Sequence, residues 1–248
     1  MTDTKLGGLF FPVETNGKKI AFDSLFIPYI YKEIYFECLY VDILNGKSDM
    51  TIIDVGSNCG ITVQHFRDYA KKVYAIEPSP EHFEALQMNK EFNKWDNVEL
   101  FNVAIADKDG EMELTMNDYN RTMNSLNIGK KIEDNKYETN SRVPGIEGFI
   151  KAKGYNNRVV VKTVAMDTFF NDNHITKCDF MKFDVEGAED MILRSEGFKK
   201  VKDKVIAIEV EFHYPNWQEL VKYMIGLGYE ARRYDSSAVV ILFTLSPK

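Results

Sequence analysis

Four short segments hold the residue types best placed to do chemistry. The first is Thr51-Ile-Ile-Asp-Val-Gly-Ser-Asn-Cys-Gly60. An apolar, β-branched run there meets a glycine-bearing turn and then a helical pattern. Gly56 and Gly60 let the backbone bend sharply and approach a ligand, and the helix start offers free N–H groups to an anionic group. Asn58 stands two residues after Gly56, so the dinucleotide fingerprint GxGxxG fails, and no Gly-Lys-Ser/Thr follows to make a P-loop. The second segment is Val73-Tyr-Ala-Ile-Glu-Pro78. Glu77 closes a strand about 20 residues after the first turn, where a carboxylate grips the two ribose hydroxyls of an adenosine ligand. In this order and spacing the two segments read as an adenosine site without a pyrophosphate cradle.

The third segment is Cys178-Asp-Phe-Met-Lys-Phe-Asp-Val-Glu-Gly-Ala-Glu189. An apolar strand delivers Lys182, Asp184 and Glu186 to its C-terminal end, the edge at which open α/β sheets bind ligands. Acidic groups there suit a cationic sulfonium, a metal ion or a departing proton. Glu189 falls inside the following helix and reads as a capping residue. The fourth is Ile208-Glu-Val-Glu-Phe-His213. Strand alternation puts Glu209, Glu211 and His213 on one face, with His213 at the strand end as a candidate general base. His65, His82 and His174 read as surface residues on helices or loops.

The elements that must position these residues alternate. Strands are expected at Thr51 to Val55, Val73 to Ile76, Val98 to Val103 and Glu111 to Met116, with helices at Thr62 to Lys71 and Pro80 to Asn93. After Val159 the alternation resumes. Strands are expected at Val159 to Val164, Phe180 to Phe183 and Lys204 to Phe212. Helices are expected from Asp167, over Ala188 to Glu196 and over Trp217 to Leu227. Glu230 to Tyr234 and Ala238 to Leu245 read as two closing strands joined at Asp235-Ser-Ser237. Strand–helix alternation of this kind builds a parallel α/β sheet, and a closing hairpin departs from the usual dehydrogenase fold. Residues 1–48 read as a helical lead-in serving as a substrate-side cap, helical mostly over the aromatic stretch Ile27 to Leu44. Residues 49–248 read as the main domain, with a polar insertion at 117–158 of lid or binding character.

Composition narrows the function classes. The chain has 248 residues, 44% hydrophobic and 28% charged, with a formal net charge of −7. That suits one sizeable globular domain, and an acidic surface disfavours phosphate backbones, so no nucleic-acid partner is expected. Cys38, Cys59 and Cys178 are few and scattered, as expected of small buried side chains in a reducing compartment. The polar start from Met1 to Gly8 shows no leader pattern, and no stretch approaches the ~20 apolar residues of a membrane span. A cytoplasmic protein is expected.

The chain resembles the FkbM family of S-adenosylmethionine (SAM)-dependent methyltransferases. The matching segments are Asp54-Val-Gly-Ser-Asn-Cys-Gly60, Ala75-Ile-Glu-Pro78, Asn124-Ser-Leu126, Asp184-Val-Glu-Gly-Ala-Glu189 and Glu211-Phe-His213. The resemblance implies a Rossmann-like class I methyltransferase fold: a seven-stranded, mostly parallel sheet with an antiparallel last strand and helices on both faces. It implies O-methylation of a sugar, glycan or related natural product. Carried over, Asp54, Gly56, Ser57, Asn58 and Gly60 would hold the methionine part of SAM, and Glu77 with Pro78 the ribose. Ser79 and Ala104 would border the adenine, Ser125 would lie near cofactor and substrate, and Asp184 would face the cofactor. Ser57 departs from the commoner family form, where alanine is frequent.

A sugar hydroxyl is a weak nucleophile, so a base or metal should help to remove its proton. Asp184 or His213 is the candidate base, with Glu186 or Glu211 positioning the hydroxyl, and a divalent cation at Asp184 is the alternative. A SAM-binding module without activity, a methyltransferase for another small molecule, a nicotinamide oxidoreductase and a nucleic-acid base methyltransferase are the competing readings. The missing GxGxxG speaks against the third. The Asp184-Val-Glu-Gly187 sequence, where exocyclic-amine methylases carry an Asp/Asn-Pro-Pro-aromatic motif, speaks against the last.

Overall fold

Short apolar runs bounded by turns build the centre of the molecule. The computed structural model describes residues 11–15, 18–22, 40–116, 124, 126, 157–213, 216–235 and 239–246. Two compact units divide the chain, Met1–Asn102 and Val103–Lys248. The first begins with an antiparallel hairpin, β1 (Phe11–Thr15) and β2 (Lys18–Phe22), within the stretch read as a helical lead-in. A single helical turn follows, α1 (Val41–Leu44). Residues 27–39 of the expected helix lie outside the described residues.

Three parallel strands form the heart of the first unit: β3 (Met50–Val55), β4 (Ala70–Ile76) and β5 (Val98–Phe101). Ile52, Ile53, Val55, Val73, Ala75 and Ile76 are all buried. Side chains of both parities are covered, which is why these strands read as near-continuous apolar runs rather than alternating ones. Helix α2 (Ile61–Phe66) ends earlier than expected, and β4 takes over at Ala70. Helix α3 (Pro80–Asn93) has proline at its start and Lys94 in the left-handed conformation at its end. The proline start was legible, since proline lacks only an N–H that the first turn leaves unused.

The second unit carries β9 (Phe180–Phe183), parallel to β10 (Ala207–Glu211), and then β11 (Tyr229–Asp235) and β12 (Val240–Leu245). The last strand, β12, is antiparallel to both β10 and β11. The strand order β11-β12-β10-β9-β3-β4-β5 completes a seven-stranded sheet, the mostly parallel sheet with an antiparallel last strand that the sequence led us to expect. Two expected strands go elsewhere. β7 (Gly110–Met116) and β8 (Asn157–Ala165) pair antiparallel and join β6 (Ala104–Ala106) in a separate three-stranded sheet. Ala104, Leu114 and Val161 form its buried cluster.

Helix α4 (Met166–Asp172) follows β8. Asp109 accepts hydrogen bonds from Ala165 N at 2.7 Å and Thr168 Oγ1 at 2.9 Å, which secures the helix entry. The expected helix from Ala188 to Glu196 is two helices, α5 (Glu189–Leu193) and α6 (Glu196–Val201). The break is chemical. Ser195 takes an extended backbone, and its Oγ accepts from Phe198 N at 3.0 Å, so a new helix starts there. Helix α7 (Trp217–Gly226) leads into β11. No described helix is long and apolar enough to cross a membrane. Most of residues 117–156 and residues 236–238 lie outside the described residues.

Candidate functional site

The first cluster grows from the turn after β3. Gly56 N and Ser57 N both donate to Ile76 O at 3.0 Å, tying the turn to the end of β4. The Ser57 hydroxyl doubles the tie, donating to Asp54 O at 2.9 Å and accepting from Ile76 N at 3.0 Å. The family-atypical serine therefore has a job in this turn. Asn58 sits at φ +51°, a left-handed conformation that asparagine tolerates. Gly60 is held at φ +91°, and a Cβ there would lie 2.5 Å from Leu86 Cδ1 and 2.9 Å from Trp95 Cη2. Backbone conformation and packing both demand glycine at that position.

Buried side chains brace the same turn. Thr62 Oγ1 donates to Asp54 Oδ2 at 2.5 Å, Asn89 Nδ2 to Cys59 O at 2.6 Å, and Trp95 Nε1 to Gln64 Oε1 at 2.7 Å. Glu77, at the end of β4, joins the two motifs: its Oε2 accepts from Asn58 N at 2.8 Å and its Oε1 from Ser79 N at 2.9 Å. Asn102 Nδ2 holds the Glu77 and Pro78 carbonyls at 2.8 and 3.1 Å. The structure thus gathers Glu77, expected from spacing, with Asp54, Ser57, Asn58, Pro78 and Ser79, which the family resemblance implied.

His82 corrects a sequence expectation. It is buried, and its Nδ1 lies 3.7 Å from Glu77 Oε1. A helix position three residues after the Ser79 turn faces inward, and no local signal marked that face. His174 is exposed as expected. His65 is half-buried among the rings of Tyr40, Phe66 and Tyr69. Cys59 and Cys178 are buried free thiols, while Cys38 lies outside the described residues. Ala104 packs in the β6–β8 cluster, and Ser125 lies outside the described residues.

The second cluster lies wholly in the second unit, around His213, two residues beyond β10. Its Nε2 is 3.7 Å from Asp184 Oδ1, 3.8 Å from Glu186 Oε2 and 3.8 Å from Glu211 Oε1. Its Nδ1 is 3.0 Å from Glu189 Oε1, a hydrogen bond. Buried Lys182, one turn of strand before Asp184, approaches Asp184 Oδ2 at 3.3 Å. The four predicted catalytic residues therefore come together, while Glu209 on the same strand face is fully buried. Glu189 is the residue that sequence reasoning undervalued. It does act as a cap, accepting from Gly187 N at 3.0 Å, but the same oxygen also meets His213. Helix position revealed the first contact; nothing local pointed to a histidine 24 residues further on.

Electrostatics follow from this crowding. Burial opposes the Asp184 charge, but the Lys182 ammonium and the His213 ring outweigh it and hold the carboxyl below its usual range. Burial pushes Glu186 up to about 8, with neighbouring Asp184, Glu211 and Glu189 adding to the rise and His213 opposing it. Burial disfavours a charged His213, yet Glu186, Glu189 and Glu211 raise its pKa well above the ordinary value. Near neutral pH the resting cluster is thus an imidazolium beside an ionised Asp184 and a largely protonated Glu186. Asp184, Glu186 and His213 each offer a ligand atom, all within 4.8 Å of one another. Two carboxylate oxygens and one imidazole nitrogen form a mixed donor set suited to a borderline divalent cation such as Zn²⁺ or Fe²⁺.

Residues 54–231 match the model of the methyltransferase FkbM domain. Methyltransferase sdnD of Sordaria araneosa is 28% identical over 201 residues, covering 75% of this chain and 76% of that protein. The crystal structure of methyltransferase FkbM from Methylobacillus flagellatus KT has a TM-score of 0.51 at 14% identity, with 86% of this chain and 47% of that one covered. The chain spans about half the length of that solved protein, and the likeness speaks for a shared fold. An rRNA methylase from Streptococcus thermophilus gives a TM-score of 0.46 at 12% identity, over 86% of this chain and 96% of that one. The matched span opens at Asp54 in the glycine turn and runs past His213, and the chain belongs to the FkbM family of methyltransferases.

Proposed function

We propose that this methyltransferase takes SAM as methyl donor and methylates a hydroxyl of a sugar, glycan or related natural product, in a cytoplasmic setting and with no nucleic-acid partner. The observation that carries the reading is the cluster of Asp184, Glu186, Glu211 and Glu189 around one strand-end imidazole. A hydroxyl must give up its proton as its oxygen gains a methyl group, and such a cluster receives protons.

The first cluster fits the donor. A carboxylate has about four lone-pair sites, and backbone amides occupy two of those on Glu77, leaving two for ribose hydroxyls. The left-handed turn through Asn58 and Gly60 keeps backbone close to the ligand. When bound, SAM supplies an electrophilic methyl group on a sulfonium. The chain's own residues then supply position and proton transfer. In this reading the hydroxyl donates its single hydrogen bond to Nε2 of His213, and Asp184, already ionised, holds its negative charge beside that nitrogen. Nε2 of His213 takes the proton once the ring is neutral. Glu186 and Glu211 stabilise the imidazolium that results. Acceptor choice falls to residues 1–48 and 117–158, which carry few family motifs.

A divalent cation on Asp184, Glu186 and His213 is the second reading, favoured by their 4.8 Å grouping. It would polarise the hydroxyl in place of a base. Activity undiminished by EDTA rules it out.

The deciding experiment is calorimetric titration of the protein with SAM and S-adenosylhomocysteine. Glu77→Ala should weaken both by about 100-fold or more, the worth of two hydrogen bonds to a charged group. No binding by folded wild type overturns the SAM reading. Binding without methylation of any hydroxylated acceptor would leave the non-catalytic module standing.

A further inference from the structure

We propose that Glu189 is the positioning residue for His213, a buried carboxylate that pins Nδ1 and thereby delivers Nε2 to the cluster. The inference deepens the reading above and rests on His213 as proton acceptor. Glu189 is fully buried, although it opens a helix of the second unit. Its Oε1 serves two partners at 3.0 Å, Gly187 N and His213 Nδ1. Its Oε2 is buried without a hydrogen bond among the described residues. A half-satisfied buried carboxylate costs stability, so a purely structural role is a poor reason for it at this position. A neutral or apolar side chain would fill the same space more cheaply.

The geometry supplies a better reason. An imidazole with a free ring can turn either nitrogen to a substrate. The nitrogen that is bound to a carboxylate keeps its proton, and the other is left as the acceptor. Here Nδ1 faces Glu189, while Nε2 faces Asp184, Glu186 and Glu211 at 3.7 to 3.8 Å. The loop before the helix sets the carboxylate in place. Glu186 at φ +53° and Gly187 at φ +102° curl the chain so that the Gly187 amide meets Glu189 from behind.

The test compares Glu189→Gln with Glu189→Ala. Gln keeps the shape and a carbonyl oxygen for Nδ1–H; Ala keeps neither. In EDTA-treated, unliganded protein held at a pH above the folded His213 pKa, where the ring is neutral, ring ¹⁵N NMR of His213 reports the tautomer, with the signal assigned by its loss in His213→Asn. Wild type and Glu189→Gln should show the Nδ1–H form, and Glu189→Ala should revert to the ordinary mixture dominated by Nε2–H. In acceptor methylation, kcat per folded molecule should fall roughly 10- to 100-fold in Glu189→Ala and far less in Glu189→Gln, with KM for the acceptor little changed. An unchanged tautomer in Glu189→Ala overturns the proposal, as does full kcat with only a lowered melting temperature. A wild type that shows the Nδ1–H form but methylates nothing would sink the functional reading and leave the positioning role intact.

Discussion

Glu77 and Glu189 are both buried carboxylates at the ends of β-α connections, yet they are employed differently. At Glu77 both oxygens meet backbone amides, from Asn58 and Ser79, within a turn already fixed by Ser57, Thr62 and Asn102. At Glu189 one oxygen meets an amide and an imidazole, and the other meets nothing described. The first arrangement is anchored at both oxygens and rigid, with lone pairs left over, suited to holding a ligand of fixed shape. The second concentrates like charges around a single ring, suited to moving a proton. Satisfied polar networks stabilise, whereas crowded carboxylates are tolerated where function needs a shifted proton affinity.

Substitutions should separate the two regions. The largest effect is expected from Asp184→Asn, which keeps the shape and removes the charge. Steady-state kinetics should show kcat lower by about 100- to 10,000-fold, with SAM affinity from calorimetry unchanged. A matching loss of SAM affinity would merge the two regions into one. Gly60→Ala strikes the rigid region instead. Overpacking against Leu86 and Trp95, together with the left-handed backbone, should cost about 2–4 kcal/mol of stability in denaturant unfolding. A neutral result would show that the turn yields more readily than its packing implies.

Glu186→Gln tests the charge crowding. The Glu186 pKa rises from 4.5 to about 8 on folding, so the native state holds a proton that the unfolded chain releases. Its contribution to stability is present below pH 4.5 and is lost as pH climbs toward 8. His213, also raised, adds loss of the same sign as pH rises through its folded pKa. Thermal melts should therefore fall with pH in wild type and fall less in Glu186→Gln. The smallest effect is expected from Ser57→Ala, which removes two hydrogen bonds from the rigid region and should cost roughly 1 kcal/mol, with SAM binding retained.

The rigid region was almost wholly legible in the sequence. Its chemistry is local: a β-branched run, glycines at fixed offsets, and an acid at the end of the next strand. Helix α3, opened by Pro80, was legible at its start because that signal is a backbone property of a single residue. Legibility failed where a choice depended on partners distant in sequence. The β-branched runs of β7 and β8 announced strands but not that they would leave the main sheet. Ser195 split an expected helix because an apolar period cannot show which serine will cap.

By itself the sequence determined the strand–turn–helix that frames Asp54 to Gly60, the acid at Glu77 and the acidic strand ends at Asp184 and Glu211. Each follows from backbone conformations and alternation that operate over a few residues. Only the tertiary structure decided that His82 turns inward beside Glu77 and that Glu189 reaches His213. It also decided that the His213 imidazole holds its proton beside an ionised Asp184 and within reach of three further acidic side chains. The physical reason is that burial and charge act through space: they depend on which side chains the packed sheet and helices bring within a few ångströms, and residue spacing along the chain does not encode that distance.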